Sequence, residues 1–62
     1  MKKYELYPDY HDLFEYRGKK EIERIRIKGG LPVRRDWYVF ETEDEAIFYF
    51  IKRCGIRTRY FN

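Results

Sequence analysis

The chain has 62 residues, of which 40% are charged and 21% aromatic, and its net charge is +3. This length allows one small domain, which we expect to occupy residues 1–62. So short a chain buries a modest fraction of its surface and needs dense aromatic packing or a partner to be stable. A lone cysteine excludes an internal disulfide, and one His with one Cys argues against a closed zinc site.

The N-terminus predicts neither a signal peptide nor a membrane span. Two lysines stand there without an apolar run behind them, and no stretch of 18 apolar residues occurs. A reduced thiol without an export signal is typical of the cytoplasm, which is the location we expect. We expect no cofactor and no metal.

The first half of the chain predicts two strands. Residues 3–7 alternate polar and apolar side chains and end at Pro8, which favours a strand. Residues 8–12 (PDYHD) form a cluster typical of a turn. Residues 13–17 are a second candidate strand, and the segment around Gly18 is a second turn.

Residues 22–28 (IERIRIK) fit two structures. Ile22 and Ile25 suit a helical turn, whereas alternation of Ile25 and Ile27 with basic residues suits a strand. The alternation is cleaner, so we predict a strand, bulged near Glu23, with the isoleucines turned inward. Gly29 and Gly30 end it, residues 31–36 form a loop, and residues 37–41 return antiparallel.

The helix prediction covers about residues 43–54. Thr42 and Glu45 form a capping box, and the acidic first turn complements the helix dipole. Gly55 suits a left-handed cap. The spacing of the apolar residues predicts one buried face of this helix and one opposite face, with Phe48 at the margin of the buried face. The buried face is Ile47, Phe50, Ile51 and Cys54, and the opposite face is Glu45, Tyr49, Lys52 and Arg53.

Together these elements predict an α+β fold, in which a three- to four-stranded antiparallel sheet packs against one C-terminal helix. Residues 56–62 are basic, and their pattern leaves open whether they add a short strand or form a flexible tail.

Basic residues concentrate in residues 17–35, which carry a net charge of +6. On an extended strand, Arg24, Arg26 and Lys28 would project about 6.6 Å apart, roughly two nucleotide rises. Aromatic side chains on the next strand would lie beside them, as a surface for phosphates and stacked bases requires. We therefore predict a small non-enzymatic module that binds DNA or RNA. Its candidate residues are Arg17, Lys19, Lys20, Arg24, Arg26, Lys28, Arg34, Arg35, Arg57 and Arg59.

Two alternatives stand beside nucleic-acid binding. The arginines could form an ordinary solvated face, paired with glutamates of neighbouring strands. The chain could instead be a protein-binding regulator or inhibitor, homodimeric or docked on a partner, because it is too small to hide all its aromatic surface. The candidate residues for a partner are Phe48, Tyr49, Tyr38 and Phe40.

Catalytic residues are sparse, so we predict that the chain is not an enzyme. Cys54 lies on the predicted buried face of the helix, His11 lies in a distant turn, and there is no serine to pair with it. A nuclease that uses His11 and Tyr10 lacks a second general base.

Two motifs resemble those of AP2-type domains and the arm-binding domains of some phage integrases. These are Tyr-Arg-Gly at residues 16–18 and the segment WYVFETEDEAIFYF at residues 37–50. The resemblance implies a three-stranded sheet in the DNA major groove with a helix behind it. It would place Arg17, Arg24, Arg26, Arg34 and Arg35 at the groove. The segment between the motifs is shorter here, and the tryptophan of the middle strand is absent.

Overall fold

The protein folds as a four-stranded antiparallel sheet with one helix on one face, in a computed structural model that describes residues 1–55. Neighbouring strands follow chain order. The predicted α+β class is therefore confirmed. The elements are β1 (Lys2–Leu6), β2 (His11–Tyr16), β3 (Glu21–Lys28), β4 (Leu31–Val39) and α1 (Glu43–Lys52).

The largest differences from the predicted strand boundaries are at the starts of β2 and β4. His11 and Asp12 belong to β2, so the predicted turn is confined to the residues before them. The predicted loop at residues 31–36 is wrong, because β4 begins at Leu31. Gly29 and Gly30 have φ of +61° and +79°. Such a two-residue turn matches the twist of the flanking strands, so β4 pairs with β3 at once.

Residues 22–28 lie in a strand, as predicted, but the irregularity lies elsewhere. The register shifts between Arg26 and Ile27, because Arg26 faces Arg34 whereas Ile27 faces Pro32. Val33 is therefore the extra residue on β4, and no shift occurs at Glu23. Pro32 has no N–H to donate to a neighbouring strand. It is tolerated there because β4 is an edge strand, with no neighbour on one side.

The helix begins as predicted and ends two residues earlier. Thr42 Oγ1 accepts a hydrogen bond from the Glu45 backbone N–H at 3.1 Å, which caps the N-terminus. At the other end, Lys3 Nζ of β1 donates to the Phe50 and Ile51 carbonyl oxygens at 2.9 and 3.1 Å. Gly55 follows with φ +74°, in the left-handed conformation expected of a helix cap.

The core lies between α1 and one end of the sheet. A ten-residue helix is only about 15 Å long, so it covers part of that face. Ala46 takes a core position where Ile51 was predicted, and Ile51 is 52% exposed. The buried apolar residues are Phe14, Tyr16, Ile22, Ala46, Phe50 and Cys54.

The four strands therefore present a helix-covered face and an open face. Alternation along each strand and the register assign each side chain to one of them. Residues 56–62, including Arg57 and Arg59, lie outside the described residues, as does the prediction for that tail. Among residues 1–55, no helix has the length and apolar character needed to cross a membrane.

Candidate binding surfaces

The two central arginines of β3 lie on the helix-covered face, not on the open face. Ile22 is fully buried under α1, and strand alternation places Arg24 and Arg26 on its side of the sheet. Ile25 and Ile27 consequently point away from the helix. The prediction that these isoleucines turn inward is wrong, although the basic side chains do share one flank.

Arg26 is held by a buried carboxylate. Its Nε and Nη2 donate to the two carboxylate oxygens of Asp12 at 2.9 and 3.1 Å, and Asp12 is only 1% exposed. The guanidinium also lies 4.2 Å from the ring centroid of Tyr10. Hydrogen bonding to Asp12 raises the pKa of Arg26 above its ordinary value. This bidentate geometry occupies the guanidinium edge that would grip a phosphate.

Arg24 is paired through one nitrogen with a carboxylate of β4. It donates from Nη2 to Asp36, its cross-strand neighbour, and its guanidinium lies 5.8 Å from the Tyr38 ring centroid. Arg34 Nε lies 3.1 Å from an Asp36 oxygen. Hydrogen bonding from Arg24 lowers the pKa of Asp36, so this carboxylate stays charged between the two arginines.

The remaining arginines of the predicted site converge on a carboxylate of the open face. Glu23 is 5% exposed, and its two oxygens lie 3.0 Å from Arg17 and from Arg35. Arg17 also reaches Glu15 at 3.0 Å. Every predicted arginine in the described part of the chain therefore has a carboxylate partner, although the five arginines share four carboxylates, Asp12, Glu15, Glu23 and Asp36. Three predicted lysines are exposed and have no ion-pair partner within residues 1–55, and these are Lys19, Lys20 and Lys28.

The open face also carries a group of apolar side chains on its first three strands. One row across the sheet joins Tyr4, Leu13 and Ile25, each directly opposite the next. The next row joins Leu6, His11 and Ile27 in the same way. We name the open-face patch by its apolar members, which are Tyr4, Leu6, Leu13, Ile25 and Ile27. In the described chain no element covers it.

Trp37 borders this patch on the side where Glu23 and its arginine partners lie. It lies opposite Glu23 and is 47% exposed, and Val39 follows on the same face of β4. The outward pair of this strand is therefore Trp37 and Val39. Tyr38 and Phe40, which were candidates for partner contact, instead pack against the core.

The last two candidates for partner contact differ from each other. Tyr49 packs between two aromatic rings, with centroids 5.7 Å from Tyr38 and 5.2 Å from Phe40. Phe48 is 59% exposed on the outer side of the helix. A groove runs beside it along α1, lined by Phe40, Asp44, Glu45, Phe48, Tyr49 and Arg53.

The residues weighed for catalysis are not brought together. His11 lies on the open face with its ring 6.0 Å from that of Tyr4, whereas Cys54 is buried at the end of α1. Burial raises the pKa of the Cys54 thiol to about 11. No group of three or more metal-binding side chains occurs within residues 1–55.

Comparison with known proteins adds no relative. No protein-family model, curated protein or solved structure matches the chain. The resemblance to AP2-type domains also implies arginines on the sheet face opposite the helix. Arg24, Arg26 and Arg34 lie on the helix side instead.

Proposed function

We propose that the protein is a non-enzymatic protein-binding module that associates with a second copy of itself through the open face of its sheet. The observation that supports this most strongly is the open-face patch, with three strands contributing apolar side chains at adjacent register positions. Tyr4 and Leu6 of this patch are exposed, and its other three members are half-buried. A contiguous apolar surface on a small domain marks an interaction surface more often than a lone apolar residue does.

A second copy fits this surface because the patch is complementary to itself. In a two-fold interface each patch meets the same patch, so apolar side chains meet apolar side chains. The fold measures 34 × 24 × 14 Å, so its broad face has room for an interface of the standard size, in which each partner buries roughly 800 Å². Facing sheets pack about 10 Å apart, which lets side chains of the two patches interdigitate.

Small size supports the same conclusion. Below about 70–80 residues, one core rarely provides more than about 3–5 kcal/mol, and many such domains rely on a disulfide, a metal or association. Within residues 1–55, the buried apolar cluster consists of six residues between one short helix and the sheet. Fully burying one more Leu or Ile side chain contributes about 1.5–3 kcal/mol. A second copy that covers the patch would therefore add a stabilising free energy comparable with that of the core itself.

Sedimentation equilibrium tests this proposal. We expect a dimer with a dissociation constant on the order of micromolar, measured between about 10 μM and 1 mM. Ile25→Lys places a charge at the centre of the patch and should weaken association at least about a hundredfold. The matched control is Ile51→Lys, which makes the same change on exposed helix surface and should leave it unchanged. A monomer at about 1 mM for the unmodified protein would contradict the proposal.

Nucleic-acid binding is the second candidate, favoured by the unpaired lysines. Lys19 and Lys20 occupy the turn before β3, and Lys28 lies at the other end of that strand. Binding through them would be mainly to phosphates, so it would weaken steeply as salt rises. In a titration of duplex and single-stranded DNA, Lys19→Ala with Lys20→Ala should reduce this salt dependence. Affinity absent at low salt would exclude this candidate. For either function we propose a cytoplasmic setting.

A further inference from the structure

The groove along α1 is a second surface, on the opposite layer from the open-face patch. Its floor is aromatic, since Phe40 and Tyr49 lie 5.2 Å apart between centroids and Phe48 stands beside them. The groove is shallow and open to solvent, and its volume of about 420 Å³ lies within the roughly 300–1,000 Å³ that binding clefts in proteins span. A self-associated dimer through the open face would leave both grooves accessible.

The carboxylates at one end of the groove differ from the three carboxylates that hold the arginines of the sheet. Asp12, Glu23 and Asp36 each have an arginine partner. Asp44 and Glu45 have no ion-pair partner among the described residues, although both are exposed beside Phe48. They already complement the dipole of α1, so their charge alone indicates no ligand. Beside an exposed ring, however, they match a cation that can also lie over an aromatic face.

The opposite end of the groove is basic. Arg53 lies eight residues beyond Glu45, which is about 12 Å along the helix axis. An extended peptide covers about 12 Å in four residues. The two ends of the groove therefore match an extended segment that carries a basic side chain and an acidic one about four residues apart, with apolar side chains between them.

We propose that this groove binds an extended segment of a partner protein, with a Lys or Arg over Phe48 near Asp44 and Glu45, and an acidic side chain near Arg53. The rings supply apolar contact and cation–π attraction, and the charges at the two ends set the spacing. This inference goes beyond the self-association, since it concerns different residues and a different partner.

The probe is the synthetic peptide Ac-Gly-Lys-Val-Thr-Val-Glu-Gly-amide, titrated into ¹⁵N-labelled protein. We expect a dissociation constant of about 10⁻⁴–10⁻³ M, with shift changes confined to groove residues. A peptide with Glu in place of Lys should bind at least about fivefold more weakly. Shifts spread over the surface, or equal binding of the two peptides, would overturn the proposal.

Protein variants assign the binding to the groove. Phe48→Ala should weaken binding at least about fivefold. Phe48→Tyr keeps an aromatic ring at this position and should bind as the unmodified protein does. Asp44→Asn combined with Glu45→Gln should weaken the Lys peptide and reduce its salt dependence. Ile51→Ala, on the same helix outside the groove, is the matched control and should bind normally. An unchanged affinity of Phe48→Ala would contradict the site.

The peptide titration also separates the two proposals. The Ile25→Lys variant carries an intact groove and should bind the peptide as the unmodified protein does. Failure of the peptide to bind would therefore refute the groove while leaving self-association standing. A monomeric protein that binds the peptide would refute self-association alone.

Discussion

Asp12 of β2 and Arg26 of β3 form a two-point ion pair on the helix-covered face of the sheet. Both guanidinium contacts are near 3 Å, and the carboxylate is almost completely buried. The arginine is therefore a structural cation whose charge is compensated inside the fold. Because the arginines of residues 17–35 are paired with carboxylates, the proposed function rests on the open-face patch and not on these basic residues.

Removing the buried partner should be costly. Asp12→Asn keeps the shape but leaves Arg26 without its counter-ion, and breaking such a pair costs about 3–5 kcal/mol. We expect the urea unfolding midpoint to fall sharply. The matched control is Glu15→Gln, whose pair with the exposed Arg17 should contribute no more than about 1 kcal/mol. Equal effects of the two changes would contradict a structural role for the Asp12 pair.

Two phenylalanines of α1 provide a test of its orientation. Phe50 is 2% exposed in the core, whereas Phe48 faces outward. Phe50→Leu should lower the free energy of unfolding by about 1–2 kcal/mol, because it leaves a gap in a packed site. Phe48→Leu should change it by less than about 0.5 kcal/mol. Urea unfolding at matched protein concentration measures both, and a larger loss for Phe48→Leu would mean that the helix is rotated.

The thiol of Cys54 should be unreactive in the folded protein. Burial raises its pKa to about 11, so very little thiolate exists at pH 8. Because the folded state holds this proton more tightly than the unfolded chain, the thiol also makes stability fall as pH rises from about 9 towards 11. Iodoacetamide labelling followed by mass spectrometry should be slow without urea and fast in urea. Rapid labelling of the native protein would contradict this burial.

The helix cap gives a smaller, well-defined effect. Thr42→Ala removes the side-chain acceptor for the Glu45 N–H and should cost about 1 kcal/mol. Thr42→Ser keeps the hydroxyl and is the control. Thermal unfolding followed by circular dichroism measures the difference, and indistinguishable midpoints for the two variants would show that this hydrogen bond is unimportant.

Local signals in the sequence were sufficient for the fold class and the helix start. Thr42 with Glu45 marked the N-cap, and the alternation in residues 22–28 indicated a strand. The pair Gly29–Gly30 predicts a break before a loop when only the sequence is considered. In the structure both glycines have positive φ, which allows the two strands to pair immediately.

The sequence could not settle which flank of β3 faces the helix. Two isoleucines on one flank outweighed Ile22 on the other, yet Ile22 is the residue that α1 covers. A short helix covers one end of a sheet, so the inward flank depends on where the helix sits and not on the apolar count. Asp12 was missed as a partner of Arg26 because it was assigned to a turn, which hid their cross-strand register.

Isotope-filtered NMR on a mixture of ¹³C-labelled and unlabelled protein tests self-association through the open face most directly. It detects contacts between methyl groups of different copies. We expect intermolecular contacts among Leu13, Ile25 and Ile27, and none at Ile51. Contacts between copies that map to the helix surface, or none at millimolar concentration, would contradict it.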